Sequence, residues 1–352
     1  MGMDMSAAIP RSVMLFEAAA AVLLSVFGAA AAVAAAEGAP DGCTRNCGNI
    51  SIPFPFGVEP RCYVEAGFNL TCDRSHRPPK LFLGDGTVQV LKISVSDSRI
   101  SIGPKPVTAG TWSGALSDGG PYTLTEQSQL LVMGCNVEVQ VLLVGEESSE
   151  GPVGSCSAVC SWRPDRNAWY YTVTGICPGV ACCLSNLMTG RSSYRFNLLR
   201  VNGAAGPNSS AVAWIMEKPG GLDIYSKPLD DNDYPQPLPV VLDWRINHTT
   251  CHGNASSATC RSGHSFCKNI TQSVDTMQVQ HGHLCHCDPG YQGNPYVPNG
   301  CHDVNECEDP ERYPCYGVCS NTEGGYKCKC LPGYEGNASV PNGCKGKVYM
   351  TE

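Results

Sequence analysis

The chain has 352 residues, of which 22 are cysteines and only 16% are charged. The length predicts about two to four domains, and the formal net charge of −8 excludes the basic surface that nucleic-acid binders need. The cysteine content is typical of a protein that folds in an oxidising compartment and excludes an ordinary cytosolic protein.

The N-terminus predicts export from the cell. Residues 12–36 are almost entirely Ala, Val, Leu and Phe, follow Arg11 and end in three alanines. This pattern indicates a signal peptide over residues 1–36 and a secreted, extracellular protein, with an uncleaved membrane anchor as the alternative. Seven Asn-X-Ser/Thr sequons agree with a glycosylated extracellular chain: Asn49, Asn69, Asn208, Asn247, Asn254, Asn269 and Asn337.

Residues 37–245 predict a cysteine-rich β region. Apolar and polar residues alternate at 88–90, 93–95, 100–102, 137–141 and 194–198, which is typical of half-buried strands. Five of its ten cysteines lie on each side of residue 150, so either a disulfide joins two lobes or the region is one folding unit. A proline-rich stretch at 227–239 favours an extended connector and places the domain boundary near residue 245.

The other twelve cysteines form two copies of a repeat of about 45 residues. Both copies contain C-x-C followed by Pro-Gly-Tyr and Gly-Asn, and this order resembles epidermal-growth-factor-like (EGF-like) modules at 246–301 and 302–344, with a tail at 345–352. Three disulfides replace a core that so few residues cannot build. The resemblance implies the pairs Cys251–Cys267, Cys260–Cys285, Cys287–Cys301, Cys307–Cys319, Cys315–Cys328 and Cys330–Cys344. The predicted fold is therefore mainly β, with a disulfide-rich N-terminal domain and two small modules.

The start of the second module resembles the calcium-binding subclass of these modules. Its sequence is Asp-Val-Asn-Glu-Cys at 303–307, followed by a Cys-Ser-Asn-Thr-Glu-Gly-Gly-Tyr stretch at 319–326. Calcium takes six to eight oxygen ligands, and acidic residues that only solvate a linker are the alternative. The first module lacks the acidic start, so no calcium is predicted there. The resemblance implies side-chain ligands from Asp303, Glu306 and Asn321 and carbonyl ligands from Val304, Thr322 and Gly325; it also matches a β-hydroxylation pattern at Asn321.

Three histidines surround the C-x-C of the first module. His281, His283 and His286 flank Cys285 and Cys287, a composition that zinc sites share. Both cysteines are needed for the module's disulfides, so we interpret the three residues as solvated histidines on a hairpin.

A second resemblance rests on residues 43–57, Cys62, residues 68–72, Cys182-Cys183 and residues 240–244 and 290–296. These stretches resemble the galacturonan-binding region of plant wall-associated receptor kinases, and the resemblance covers nearly the whole mature chain. It implies an extracellular module of the cell wall that binds pectin, a polygalacturonate. No Gly-rich phosphate loop, H-R-D or D-F-G motif occurs in the chain, so we predict no enzyme activity.

Two clusters are candidate contacts for a uronate polymer, because guanidinium and ammonium groups bind carboxylates and aromatic rings pack on sugars. The alternatives are a solvated turn for the first cluster and aromatic residues packed in a core or at a strand edge for the second. The first cluster is Arg74, Arg77 and Lys80, and the second is Trp162, Arg163, Arg166, Trp169 and Tyr170.

Three function classes remain at this point. The first is a secreted receptor-like protein that binds pectin or oligogalacturonides and presents its modules to extracellular proteins or receptor kinases. The second is a calcium-dependent protein-binding or adhesion module without a sugar site, and the ectodomain of a truncated receptor kinase is a related possibility. The third, a secreted hydrolase, lacks both a G-x-S-x-G and an H-E-x-x-H motif.

Overall fold

The computed structural model describes residues 42–104, 107, 110–112, 120–143, 152–163, 168–170, 177, 182–187, 194–200, 212–218, 238–247, 249–251, 259–274 and 277–346. The predicted signal peptide, Arg166, Asn208 and Asn254 lie outside this part of the chain. Among the described residues, no helix has the length and apolarity that a membrane span requires.

The prediction of a mainly β protein is confirmed. Within the described residues, the strands of the N-terminal region are β1 (Asn46–Cys47), β2 (Ile50–Ser51), β3 (Leu70–Asp73), β4 (Lys80–Leu83), β5 (Val88–Ser94), β6 (Arg99–Gly103), β7 (Gly110–Trp112), β8 (Tyr122–Leu124), β9 (Ser128–Met133), β10 (Val137–Leu143), β11 (Gly154–Ala158), β12 (Ser161–Arg163), β13 (Ala168–Tyr170), β14 (Cys182–Asn186), β15 (Tyr194–Arg200), β16 (Val212–Glu217) and β17 (Val240–Trp244).

Each module adds two antiparallel hairpins. The first contains β18 (Ser265–Val274) with β19 (Met277–Cys287) and β20 (Tyr291–Gly293) with β21 (Cys301–Asp303). A 3₁₀ turn, Glu306–Glu308, opens the second module. It is followed by β22 (Val318–Thr322) with β23 (Gly325–Lys329) and β24 (Tyr334–Gly336) with β25 (Cys344–Gly346).

The largest sheet is antiparallel and has the strand order β3-β4-β5-β6-β17-β8. The period-two segments form its strands with their apolar residues inward: Val88 and Val90 are buried in β5, and Ile100 and Ile102 in β6. Strand β17 pairs with β6 and β8, although some 140 residues separate β6 from β17 in the sequence. Residues 240–244 therefore complete the N-terminal sheet.

Among the described residues, the N-terminal region also has a four-stranded sheet, β11-β10-β15-β7, a three-stranded sheet, β14-β9-β16, and the two-stranded sheets β1-β2 and β12-β13. The Cys135–Cys160 disulfide joins the sequence on either side of residue 150, which is the first of the two alternatives, and β10 pairs with β11 across the same point. All ten N-terminal cysteines pair with one another, and the other four disulfides are Cys43–Cys62, Cys47–Cys72, Cys156–Cys183 and Cys177–Cys182.

The twelve module cysteines form the six pairs that the resemblance implies. In each module the C-x-C ends one hairpin and its second cysteine bonds to the last cysteine of the repeat, as Cys287 does to Cys301 and Cys330 to Cys344. The disulfides therefore hold each short hairpin pair together without a large core.

The first module packs directly against the N-terminal sheet. Tyr296 is fully buried, its ring centroid is 5.7 Å from that of Trp244, and Asn294 Nδ2 donates to the Phe54 carbonyl at 2.6 Å. Backbone hydrogen bonds in both directions join Ile246 to His283. The chain thus crosses the predicted boundary near residue 245 inside a packed, shared core.

The second repeat lacks this contact surface. Aligned from Gly-Asn to the last cysteine, Ser339 occupies the position of Tyr296, and Val340 that of Val297. Ser339 is exposed, and Val340 is 44% exposed whereas Val297 is 6% exposed. The buried Tyr-Val pair is therefore a docking feature of the first module and not a requirement of the module fold.

Candidate functional site

The residues of the predicted calcium site come together where the two modules meet. Asp303 ends β21, and the next residue, Val304, donates its N–H to the Gly290 carbonyl of the first module at 2.8 Å. Glu306 begins the 3₁₀ turn, and Thr322 and Gly325 face each other at the end of the β22–β23 hairpin. The linker between the modules (residues 303–306) and the tip of the β22–β23 hairpin are thus neighbours. A calcium ion bound by both segments would require this arrangement.

Asp303 connects these two segments by hydrogen bonds. Its Oδ1 accepts from the Gly324 N–H at 2.5 Å, and its Oδ2 accepts from Asn321 Nδ2 at 2.7 Å. Gly290 has a φ of +85°, and a Cβ at this position would collide with the Gly324 carbonyl oxygen. The first module therefore packs against the hairpin tip at backbone contact distance.

In the part of the chain that the structure describes, two side-chain oxygens of the residues that follow Asp303 are buried without a hydrogen-bond partner. Glu306 is 3% exposed and its Oε2 is unpartnered, as is Oδ1 of Asn305, whose Nδ2 donates to Glu308 at 2.7 Å. Burying a carboxylate without compensation costs several kcal/mol, and a hard divalent cation would offset that cost. The donor set therefore fits calcium, and Asn305 is an additional oxygen that the family pattern did not indicate.

Zinc does not fit the histidine cluster of the first module. Cys260, Cys267 and His283 lie close together, but both sulfurs are in disulfides. The interpretation of solvated histidines is wrong for His283, which is fully buried with Nδ1 2.7 Å from the Thr249 carbonyl and Nε2 2.6 Å from the Thr259 hydroxyl. Burial and the charge of Lys268 lower the pKa of His286.

The first candidate sugar-binding cluster lies on the connection between β3 and β4, which we call the basic turn (residues 74–80). Arg74 and Arg77 are exposed, and Lys80 is half-buried at the start of β4. Asp73 accepts hydrogen bonds from the Ser75 N–H at 2.8 Å and from His76 Nδ1 at 3.0 Å. The hydrogen bonds from Ser75, with help from His76, lower the pKa of Asp73.

The three cations of the basic turn differ in their contacts with carboxylates. Neither Arg77 nor Lys80 has an ion-pair partner within the described part of the chain. The pKa of Glu59 is lowered: burial opposes the shift, and hydrogen bonds from Thr44 and the nearby charge of Arg74 produce it. Arg74 is thus the only one of the three cations whose electrostatic contact with a carboxylate is resolved among the described residues.

The second candidate cluster is only partly described. Strands β12 and β13 pair with Trp162 opposite Trp169 and Arg163 opposite Ala168, whereas Arg166 lies outside the described residues. This hairpin forms a two-stranded sheet of its own, separate from the sheet that carries the basic turn. The two clusters therefore stand on different sheets of the N-terminal region.

Five of the seven sequons lie within the described residues. Asn49 and Asn337 are exposed. Asn69, Asn247 and Asn269 are half-buried, and Asn269 Oδ1 accepts the Cys251 N–H at 2.8 Å. Asn49 and Asn337 therefore offer the most accessible side chains for a glycan.

Family models match both ends of the described chain. Residues 43–103 match the model described as wall-associated receptor kinase galacturonan-binding, and residues 303–346 match the calcium-binding EGF domain. The chain therefore combines a galacturonan-binding type of domain with EGF-like modules.

The relatives are plant receptor kinases. The chain is 30% identical over 303 residues to wall-associated receptor kinase 2 of Arabidopsis thaliana, an alignment that covers 80% of this chain and 37% of the relative. Wall-associated receptor kinases 3 and 4 of the same plant are 28% and 29% identical, each over 80% of this chain and 38% of the relative. The chain is thus homologous to wall-associated receptor kinases over an ectodomain-length region and spans less than two fifths of their length. No solved structure matches it.

Proposed function

We propose that this protein is an extracellular, non-enzymatic receptor-like protein of the cell wall that binds unesterified galacturonan through its N-terminal region. The observation that carries the proposal is the position of the basic turn inside residues 43–103, the segment that matches the galacturonan-binding model. Arg77 and Lys80 project from a disulfide-braced sheet without an ion-pair partner among the described residues. A polymer of uronate carboxylates supplies the missing anions.

The calcium centre completes the proposed function. Calcium bound by Asp303, Val304, Glu306, Asn321, Thr322 and Gly325 would order the junction between the two modules, and Asn305 adds a further oxygen donor. The protein would then present the modules at a fixed angle to extracellular proteins or receptor kinases.

A second candidate function is a calcium-dependent protein-binding module without a sugar site. The buried, unpartnered Glu306 oxygen favours it as much as it favours the first, because the calcium centre is common to both. The two proposals differ only in the role of the N-terminal region, and galacturonan binding separates them.

Replacing Arg74, Arg77 and Lys80 together by Gln should lower galacturonan affinity about tenfold. Each ion pair with the ligand that is lost at an exposed site contributes roughly 0.2–1 kcal/mol to binding. The free energy of unfolding should be nearly unchanged, because exposed charges contribute little to stability. Binding of the parent should also weaken as salt rises, because exposed charges are screened over ~10 Å at 0.1 M. Calorimetric titration with oligogalacturonides at two salt concentrations measures both effects.

The matched control replaces three exposed lysines of the second module, Lys327, Lys329 and Lys345, by Gln. This variant loses the same charge and should bind galacturonan like the parent. Equal losses of galacturonan affinity in the two variants would show that the effect comes from the net charge of the protein and not from the basic turn. Full affinity in the folded basic-turn variant would exclude that turn and direct attention to Trp162 and Trp169. Absence of binding by the parent would favour the second candidate function.

A further inference from the structure

A groove with a volume of about 1010 Å³ lies at the junction of the two modules. One wall belongs to the first module and includes Phe266 and residues 288–291, and the other belongs to the second module and includes Glu308 and Tyr313. Its floor is the linker at 303–305. Because both modules contribute, the shape of the groove depends on an ordered junction.

The charged side chains of the groove are mostly carboxylates. Asp288, Asp303, Glu308 and Asp309 line it, against the cations Lys268 and Arg312. None of these six groups forms an ion pair with another described residue. Asp303 is assigned to calcium, so three carboxylates that are not proposed calcium ligands remain to face a ligand.

The module fold does not require an acid at position 288. In the second repeat the equivalent residue, between the C-x-C and Pro-Gly-Tyr, is Leu331, and the turn there has the same form, with φ of +85° at Gly290 and +86° at Gly333. The Asp288 carboxylate has no hydrogen-bond partner among the described residues, whereas those of Glu308 and Asp309 accept hydrogen bonds from Asn305 Nδ2 and the Arg312 N–H. The backbone of Asp288 takes part in the turn, since its carbonyl accepts the Tyr291 N–H at 3.0 Å, but its carboxylate makes no hydrogen bond to the described residues.

Aromatic rings stand beside these carboxylates. Tyr291, Tyr313 and Phe266 line the groove, and the Arg312 guanidinium already lies 5.5 Å from the centroid of the Tyr313 ring. Rings of this kind attract cations through their faces and also pack against other aromatic side chains. A ligand with both basic and aromatic groups therefore matches the walls.

We propose that the groove binds an extended peptide segment carrying basic and aromatic side chains, with its basic groups on Asp288, Glu308 and Asp309. A volume at the upper end of the range for small-molecule pockets, spread over two modules, suits a chain segment. A uronate polymer would face four carboxylates in this place and is disfavoured by charge. The site is separate from the basic turn, so it does not depend on the proposed sugar binding.

The test uses the full secreted chain in millimolar calcium and two labelled decapeptides, one of Lys and Tyr with Gly spacers and one with Glu in place of Lys. Fluorescence anisotropy should show binding of the Lys peptide and not of the Glu peptide. The double variant Asp288→Asn with Asp309→Asn should weaken binding about three- to tenfold, since each exposed ion pair contributes little. Lys268→Gln should tighten binding about twofold, because it removes a competing cation.

The control variant, Asp85→Asn with Asp97→Asn, removes two exposed carboxylates from turns of the N-terminal sheet and should bind the Lys peptide like the parent. An equal loss in this control, or preference for the Glu peptide, would overturn the proposal. Removal of calcium should weaken binding because the walls belong to two modules. Tighter binding without calcium would place the peptide on Asp303 and Glu306 and overturn the assigned site. Galacturonan affinity of the Asp288/Asp309 variant should equal that of the parent, so the failure of either proposal is recognisable by itself.

Discussion

Replacing Tyr296 by Ala should lower the free energy of unfolding of the first module and the N-terminal sheet by about 3–5 kcal/mol, the usual cost of removing a large buried aromatic side chain. Tyr296 is fully buried, packs on Trp244, and accepts the Cys285 N–H with its hydroxyl at 2.9 Å. Burial raises the pKa of this hydroxyl, so the phenol stays neutral and the hydrogen bond persists at any physiological pH. Differential scanning calorimetry of the oxidised chain measures the loss as a lower Tm.

The matched control is Tyr334→Ala in the second module. Tyr334 is 51% exposed, so its loss should change stability by less than about 0.5 kcal/mol. A third variant, Tyr296→Phe, keeps the ring and leaves the Cys285 N–H without its acceptor, which should cost about 1–3 kcal/mol. Equal Tm values for the two Ala variants would show that the docking of the first module contributes nothing to stability.

The docking of the first module on the N-terminal sheet could not be predicted from the sequence, whereas the modules and several strands could. Cysteine order and the C-x-C spacing identify the modules because disulfide pairing within a repeat is local: each module pair closes a loop of at most 25 residues. The alternation of apolar and polar residues identifies β5, β6, β10 and β15, because it is a pattern of residues that are neighbours in the sequence. Asn294 and Phe54 meet across 240 residues of sequence, and no local pattern carries that information.

The N-terminal disulfides show an intermediate case. Their number and their confinement to the region follow from the gap in cysteine density, but the partners do not. Cys182 and Cys183 are adjacent in β14 and bond in different directions, to Cys177 and Cys156, because successive side chains of a strand point to opposite faces. The cysteine that lies near each face of β14 depends on the order of the strands in the sheets, which the sequence does not give.

The motif of the proposed calcium centre is visible in the sequence, since Asp303, Glu306 and Asn321 stand at spacings that resemble a known pattern. The burial of Glu306 without a partner was not predictable, because it depends on how the 3₁₀ turn packs beneath the hairpin. If calcium binds as proposed, this burial disfavours the calcium-free state, and it determines the sign of the next expected result.

Calcium should reverse the order of stability of the parent and the Glu306→Gln variant. Without calcium, the variant should be at least as stable as the parent, because it replaces a buried carboxylate whose Oε2 has no hydrogen-bond partner among the described residues by a neutral amide. With calcium, the parent should become the more stable protein. Sites in extracellular modules bind calcium with Kd values of ~10⁻⁴–10⁻³ M, so calcium at ~10 mM should stabilise the parent by about 1.4 to 2.7 kcal/mol. The variant loses a charged ligand and should gain far less.

Calorimetric titration and limited proteolysis of the full chain check this result. Calcium should protect the linker at 302–306 in the parent, because Asp303 and Glu306 cannot hold an ion without ordering the segment between them. The matched control is Glu308→Gln, two residues further on in the same 3₁₀ turn, which is exposed and is not a proposed ligand. It should bind calcium within about twofold of the parent, because an exposed charge outside the ligand shell contributes little. If calcium protects the linker equally in the parent and in Glu306→Gln, then Glu306 is not a ligand, and the buried carboxylate must be compensated by something other than the ion.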